Sequence, residues 1–115
     1  MPKSEIYQKE LLKLREIFED VEEAKAKLVE GLIEDAAFIK AENYALKEIL
    51  SNSGMVKVHP EHPELQKRTE AGKQFLSNVN SYATVIKTLN GVLMKNVVEG
   101  DDEFDDFMKE MRGNG

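Results

Sequence analysis

Leu65, Thr69, Gly72, Leu76, Val79, Ala83, Ile86, Asn90 and Leu93 follow one another at intervals that alternate strictly between four and three residues. That rhythm tracks the 3.6-residue turn of an α-helix and draws a single stripe down one side of it. In a strand the same positions would scatter over both faces. The spacing therefore predicts one long helix over residues 63–96. Phe75, Tyr82 and Leu89 add a second apolar row on an adjacent face. Two rows imply two buried surfaces, one inside the protomer and one between protomers. Leu76, Val79 and Ile86 are the expected subunit contacts on this helix. Gly72 is expected to allow close approach of a neighbour, and Gly91, at a cost of about 1 kcal/mol in a helix interior, to mark a bend.

The N-terminal half repeats the rhythm. Tyr7, Leu11, Leu14, Phe18, Val21, Leu28 and Leu32 form a heptad seam broken only at Lys25, flanked by Glu19, Asp20, Glu22 and Glu23. This predicts a first helix over residues 4–30, with Ser4 as N-cap and Glu5 in the first turn. The seam has two uses. It packs on its own domain, or Leu11, Leu14, Phe18 and Val21 pack against a neighbouring subunit. Gly31 is expected to bend the chain before a second helix over residues 33–51, where Ala36, Ile39, Asn43, Leu46 and Leu50 continue the spacing. Asn43 is the polar residue on that seam. Ser51-Asn52-Ser53-Gly54 reads as a helix stop, with Gly54 free to take a left-handed conformation. Met55 to Val58 is a short extended piece with no second strand expected to pair with it in the same chain. In His59-Pro60-Glu61-His62-Pro63, each residue before a proline is pushed out of the helical region. Pro63 suits the first position of the long helix.

The chain of 115 residues carries 41% apolar and 33% charged residues, which suits one helical domain with a modest core. Net charge is −6, but the acidity is concentrated near the C-terminus: residues 97–115 have a local net of −5, leaving −1 for residues 1–96. Phe104, Phe107, Met108 and Met111 share one side of a short acidic helix there, a composition that folds onto partners or onto its own core. The expected fold is all-α: two shorter N-terminal helices, a long third helix and a short acidic C-terminal helix, oligomerising. Residues 1–98 form the oligomerisation core and residues 99–115 an acidic, partly flexible tail.

Cysteine is absent, which excludes disulfides and thiolate metal sites and fits a cytoplasmic protein. No signal-peptide h-region and no run of roughly 20 apolar residues occurs, so a soluble chain without membrane contact is expected. The only histidines, His59 and His62, lie in the proline turn, and no nucleophile elbow or phosphate-binding glycine loop is present. The expectation is a non-enzymatic protein with no metal and no cofactor. Nucleic-acid signals are confined to Lys67, Arg68 and Lys73, a basic cluster that would become a continuous collar if several copies formed a ring.

Several segments together resemble the small subunit of tailed-phage terminases over residues 32–94. They are Glu42-Asn43-Tyr44-Ala45-Leu46, Gly54, Val58-His59-Pro60, the amphipathic run from Leu65 to Phe75, and Leu89-Asn90-Gly91-Val92-Leu93. The family's Thr-Pro-Ser-Arg continuation is replaced by Met94-Lys95-Asn96, and its basic N-terminal extension is missing. The resemblance implies a homo-oligomeric ring, binding of double-stranded viral DNA, and recruitment and stimulation of the large terminase ATPase-nuclease in the bacterial host cytoplasm. Phe104, Phe107 and Met108 are the candidate anchors for the large subunit. The competing expectation is a helical oligomeric adaptor or scaffold of a phage that does not bind DNA. A small regulator acting through an acidic, DNA-mimicking tail is a third.

Overall fold

The computed structural model describes the backbone of residues 1–113 and the side chains of residues 1–95. Three helices and one β-hairpin follow in the order α1 (Lys3–Ile17), α2 (Glu23–Ser53), β1 (Val56–Val58), β2 (Gln66–Arg68) and α3 (Glu70–Gly113). The helices lengthen along the chain, from 15 to 31 to 44 residues. The architecture is mainly α, as expected. None of the helices is long and apolar enough, among the described residues, to cross a membrane.

Side-chain pairs give the packing directions. Lys3 reaches Glu42, and Arg15 binds Glu30, so α1 runs antiparallel to α2. Asn43 meets the Phe75 carbonyl and Lys40 lies over the Tyr82 ring, so α3 also runs antiparallel to α2. α1 and α3 therefore run parallel to each other on either side of α2, and the Tyr82 hydroxyl reaches across to donate to Glu10 at 2.7 Å. The core comprises Leu11, Leu14, Phe18, Val21, Val29, Ile33, Ala36, Ala37 and Leu89. Ala36 and Ala37 are fully buried on α2. Their small side chains let the neighbouring helices close on the central one.

Several boundaries differ from the periodicity. The first helix ends at Ile17, and the expected run to residue 30 is cut by a turn in which the Val21 N–H donates to the Phe18 carbonyl. Neither glycine nor proline marks this break. The turn lets Phe18 and Val21 both point into the core, where they are 5% and 8% exposed. Ser4 lies inside α1, with Pro2 at the cap and its carbonyl accepting from the Glu5 and Ile6 N–H groups. Gly31 does not interrupt the chain: α2 runs through it from Glu23 to Ser53.

The connector brings the largest correction. Met55 to Val58 does have a partner in the same chain, since β1 pairs antiparallel with β2 in the register Val56↔Arg68, Lys57↔Lys67, Val58↔Gln66. Residues 63–69 are consequently not helical, and Pro63 is a loop residue. Thr69 starts α3 instead. Its Oγ1 accepts from the Gly72 N–H at 3.0 Å and donates to the Gly54 carbonyl at 2.9 Å. Its own N–H donates to the Met55 carbonyl at 3.0 Å. One residue thus caps the helix and closes the base of the hairpin. Gly54 ends α2 at φ 75°, ψ 164°, a backbone conformation that favours glycine, and its N–H caps the Leu50 carbonyl. The acidic run expected as a separate short helix falls within the span of α3, and its side chains lie outside those described.

Candidate nucleic-acid interface

The hairpin is open to solvent: every residue of both strands is exposed. Successive strand residues face opposite sides. Lys57 and Lys67 therefore share one face, while Val56, Val58, Gln66 and Arg68 share the other. The Thr69 N–H bonds the Met55 carbonyl and the His59 N–H bonds the Leu65 carbonyl at 3.0 Å each. By alternation between those two, Lys57 and Lys67 form a directly opposed pair whose Cα atoms are about 5.5 Å apart. Like charges placed directly opposite destabilise a sheet. Lys57, Lys67 and Arg68 have no ion-pair partner among the described residues.

The loop at the tip is held by a side chain. His59 Nδ1 accepts from the N–H groups of Glu61 and His62, both at 3.1 Å, and the Leu65 N–H returns to the His62 carbonyl at 2.8 Å. The two imidazoles stand 5.1 Å apart at 46°, and His62 faces Glu64 at 3.4 Å. No group of three or more metal-ligating residues occurs among the described residues. Along one side of the hairpin, Lys57, Val58, Pro60, Leu65 and Lys67 are among the residues lining an open cleft of about 410 Å³.

Of the basic residues expected from the sequence, Lys67 and Arg68 lie together on β2, on a strand rather than on a helix. Lys73 lies in the first turn of α3, and its Nζ is paired with Glu70 at 3.2 Å. Its charge is therefore already paired within the helix. Lys57 was not among the expected residues. The alternation Val56-Lys57-Val58 was its signal, together with a second extended run beyond the prolines that supplies its cross-strand neighbour.

The subunit-contact residues divide in two. Leu11, Leu14, Phe18 and Val21 are each at most 8% exposed inside the single chain, which leaves no surface for a neighbouring copy. Ile86 packs partly buried against the same core. Leu76 and Val79, by contrast, are 42% and 40% exposed. The row Phe75, Tyr82 and Leu89 turns inward, and the row through Leu76, Val79 and Ala83 is left uncovered. Beside it, Ile39, Asn43, Phe75, Val79 and Tyr82 help line a cavity of about 120 Å³. Asn43 is 8% exposed, its Nδ2 donates weakly to the Phe75 carbonyl at 3.5 Å, and its Oδ1 is buried without a partner. Phe104, Phe107 and Met108 lie outside the described side chains.

Compared with family models, curated proteins and solved structures, the chain gives no match.

Proposed function

We propose that this chain is a non-catalytic small terminase subunit of a tailed phage, which self-associates, contacts double-stranded DNA through its hairpin and serves the large ATPase-nuclease in viral DNA packaging. The observation that carries the reading is the opposed Lys57–Lys67 pair on one face of an exposed two-stranded ribbon, with Arg68 on the other face. A ribbon of that width fits the major groove of B-DNA, and phosphates would relieve the repulsion between the lysines. The uncovered row at Leu76 and Val79 supports self-association, which would repeat the weak basic spot once per copy.

A gel-retention series across salt concentration tests it. Each phosphate contacted contributes about −0.9 to the slope of log affinity against log salt, so Lys57→Glu with Lys67→Glu reduces the slope and the retention of any duplex alike. Salt-insensitive retention, or retention equal in the double variant, refutes the DNA assignment. The second reading, a helical adaptor of the phage that does not bind DNA, is favoured by the net charge of −6. It predicts oligomers in light scattering with no retention at low salt.

A further inference from the structure

The tip of the hairpin is held together by an atom that can take up a proton. In the loop His59-Pro60-Glu61-His62-Pro63-Glu64-Leu65 the two prolines carry no N–H, which leaves five backbone donors. Two of the five, Glu61 and His62, donate to the same acceptor, His59 Nδ1, at 3.1 Å each. The His59 and Leu65 N–H groups make the other two backbone bonds of the loop, to the Leu65 and His62 carbonyls. Among the described residues no hydrogen bond or ion pair ties residues 59–65 to a helix, so the loop is held from within.

An imidazole nitrogen accepts a hydrogen bond only through its lone pair. The bracket therefore needs a neutral His59 with its proton on Nε2. A proton on Nδ1 uses that lone pair and aims an N–H at two other N–H groups. Closing the loop and protonating Nδ1 exclude each other. Imidazole takes up its proton between about pH 8 and pH 5, so the bracket is complete at the upper end of that range and lost toward the lower. The charges around His59 act in the same direction on balance. The His62 ring stands 5.1 Å away, and a proton on each ring sets two cations side by side. Lys57 and Lys67 line the same cleft as His59. Glu61 lies within the loop and Glu64 faces His62 Nδ1 at 3.4 Å, but neither carboxylate accepts from the two bracketed N–H groups.

We infer that His59 is a pH-sensitive latch on the hairpin: its neutral imidazole brackets Glu61 and His62 and fixes the tip, and acidification releases them. The release reaches the ribbon, because the bond from the His59 N–H to the Leu65 carbonyl is the rung that follows the Val58↔Gln66 pair. The latch thus steadies the end of the ribbon that sets Lys57 opposite Lys67. It stands whether or not the ribbon meets DNA.

Nuclear magnetic resonance of the isotope-labelled full chain from pH 8 to pH 5 tests it, through the imidazole nitrogen shifts and the amide exchange rates. At pH 8 the expected state is a His59 ring protonated on Nε2, with protected N–H groups at Glu61 and His62. Their protection, relative to the intrinsic rate at each pH, falls about tenfold by pH 5, in step with the titration of the His59 ring. His59→Asn supplies an oxygen acceptor that bonds N–H groups two positions on and does not titrate, so it should keep the protection at both ends of the range. His59→Ala should lack it at both ends, and His62→Asn should leave the loss on acidification in place. Amides of α2 and α3 should stay protected throughout. A His59 ring protonated on Nδ1 at pH 8, or protection at Glu61 and His62 that does not change with pH, overturns the latch. So does a loss that persists in His59→Asn or disappears in His62→Asn. Loss of protection in α2 and α3 together with the loop overturns it as well, because the transition then belongs to the whole chain.

Discussion

Replacing Gly72 with alanine tests how the hairpin is joined to α3. A Cβ at that position lies 2.8 Å from the Met55 carbonyl oxygen, 2.9 Å from Thr69 Oγ1 and 3.1 Å from the Met55 Cα. None of these atoms is the free end of a flexible side chain. The Met55 carbonyl is held by the Thr69 N–H, and Thr69 Oγ1 is held between the Gly72 N–H and the Gly54 carbonyl. Making room therefore displaces strand backbone and loosens the cap together. Helix propensity alone favours alanine over glycine by about 1 kcal/mol. Overpacking of a tight site costs about 1–3 kcal/mol, and loss of a threonine cap about 1 kcal/mol more. The balance is a net destabilisation of about 1–3 kcal/mol. Gly31 and Gly91 provide the controls, since a Cβ at either meets nothing within 4 Å. Alanine at each of those positions stabilises by about 0.5–1 kcal/mol. Urea denaturation of the parent and the three variants at one protein concentration gives the midpoints. Opposite signs at Gly72 and at the two controls are the expected outcome. A Gly72→Ala chain as stable as Gly91→Ala would refute the close packing of Met55 on α3.

Tyr82 and Asn43 yield further tests. Burial first, and then the hydrogen bond to the Glu10 carboxylate, push the Tyr82 phenol above its ordinary value. An unfolded phenol ionises near pH 10, while the folded one keeps its proton, so this stability is present below about pH 10 and is lost as pH rises beyond it. Tyr82→Phe should cost about 1–2 kcal/mol at pH 7 and flatten the alkaline decline, measured by denaturation midpoints from pH 7 to pH 11. A parallel decline in parent and variant would exclude Tyr82 as its source. Asn43→Leu removes the unpaired acceptor and fills part of the adjoining cavity, so thermal unfolding should shift upward by the equivalent of about 1 kcal/mol. A downward shift would mean that the amide is satisfied in solution.

The basic cluster was partly legible in the sequence. Lys67, Arg68 and Lys73 stand together in the sequence as a basic cluster, and the structure keeps Lys67 and Arg68 adjacent on β2 while Lys73 lies in α3. Their setting is not legible there, because the interval pattern that predicts α3 extends backward through Thr69 to Leu65, although Leu65 is exposed and belongs to the loop. Two prolines in five residues weigh against a helix there, but they do not say that the flanking segments pair. That pairing needs Met55 and Thr69 to be brought together, and it is the ends of two long helices that do so. Lys57 gained a role only through its register opposite Lys67.

What the chain determined alone is the helical character of most of its length, because the alternation of four and three residues is a local property of one helix face. The stop at Gly54 and the non-helical stretch at the prolines are local in the same sense. The break after Ile17, the continuity of α2 through Gly31, and the choice of which apolar row of α3 turns inward belong to the tertiary structure. Each depends on what lies across the interface. Phe18 and Val21 leave the helix because a core exists to receive both, and Leu76 and Val79 stay outside because it is the face carrying Tyr82 and Leu89 that packs on that core. Periodicity identifies a stripe that seeks burial, and only the packed partner decides which stripe obtains it.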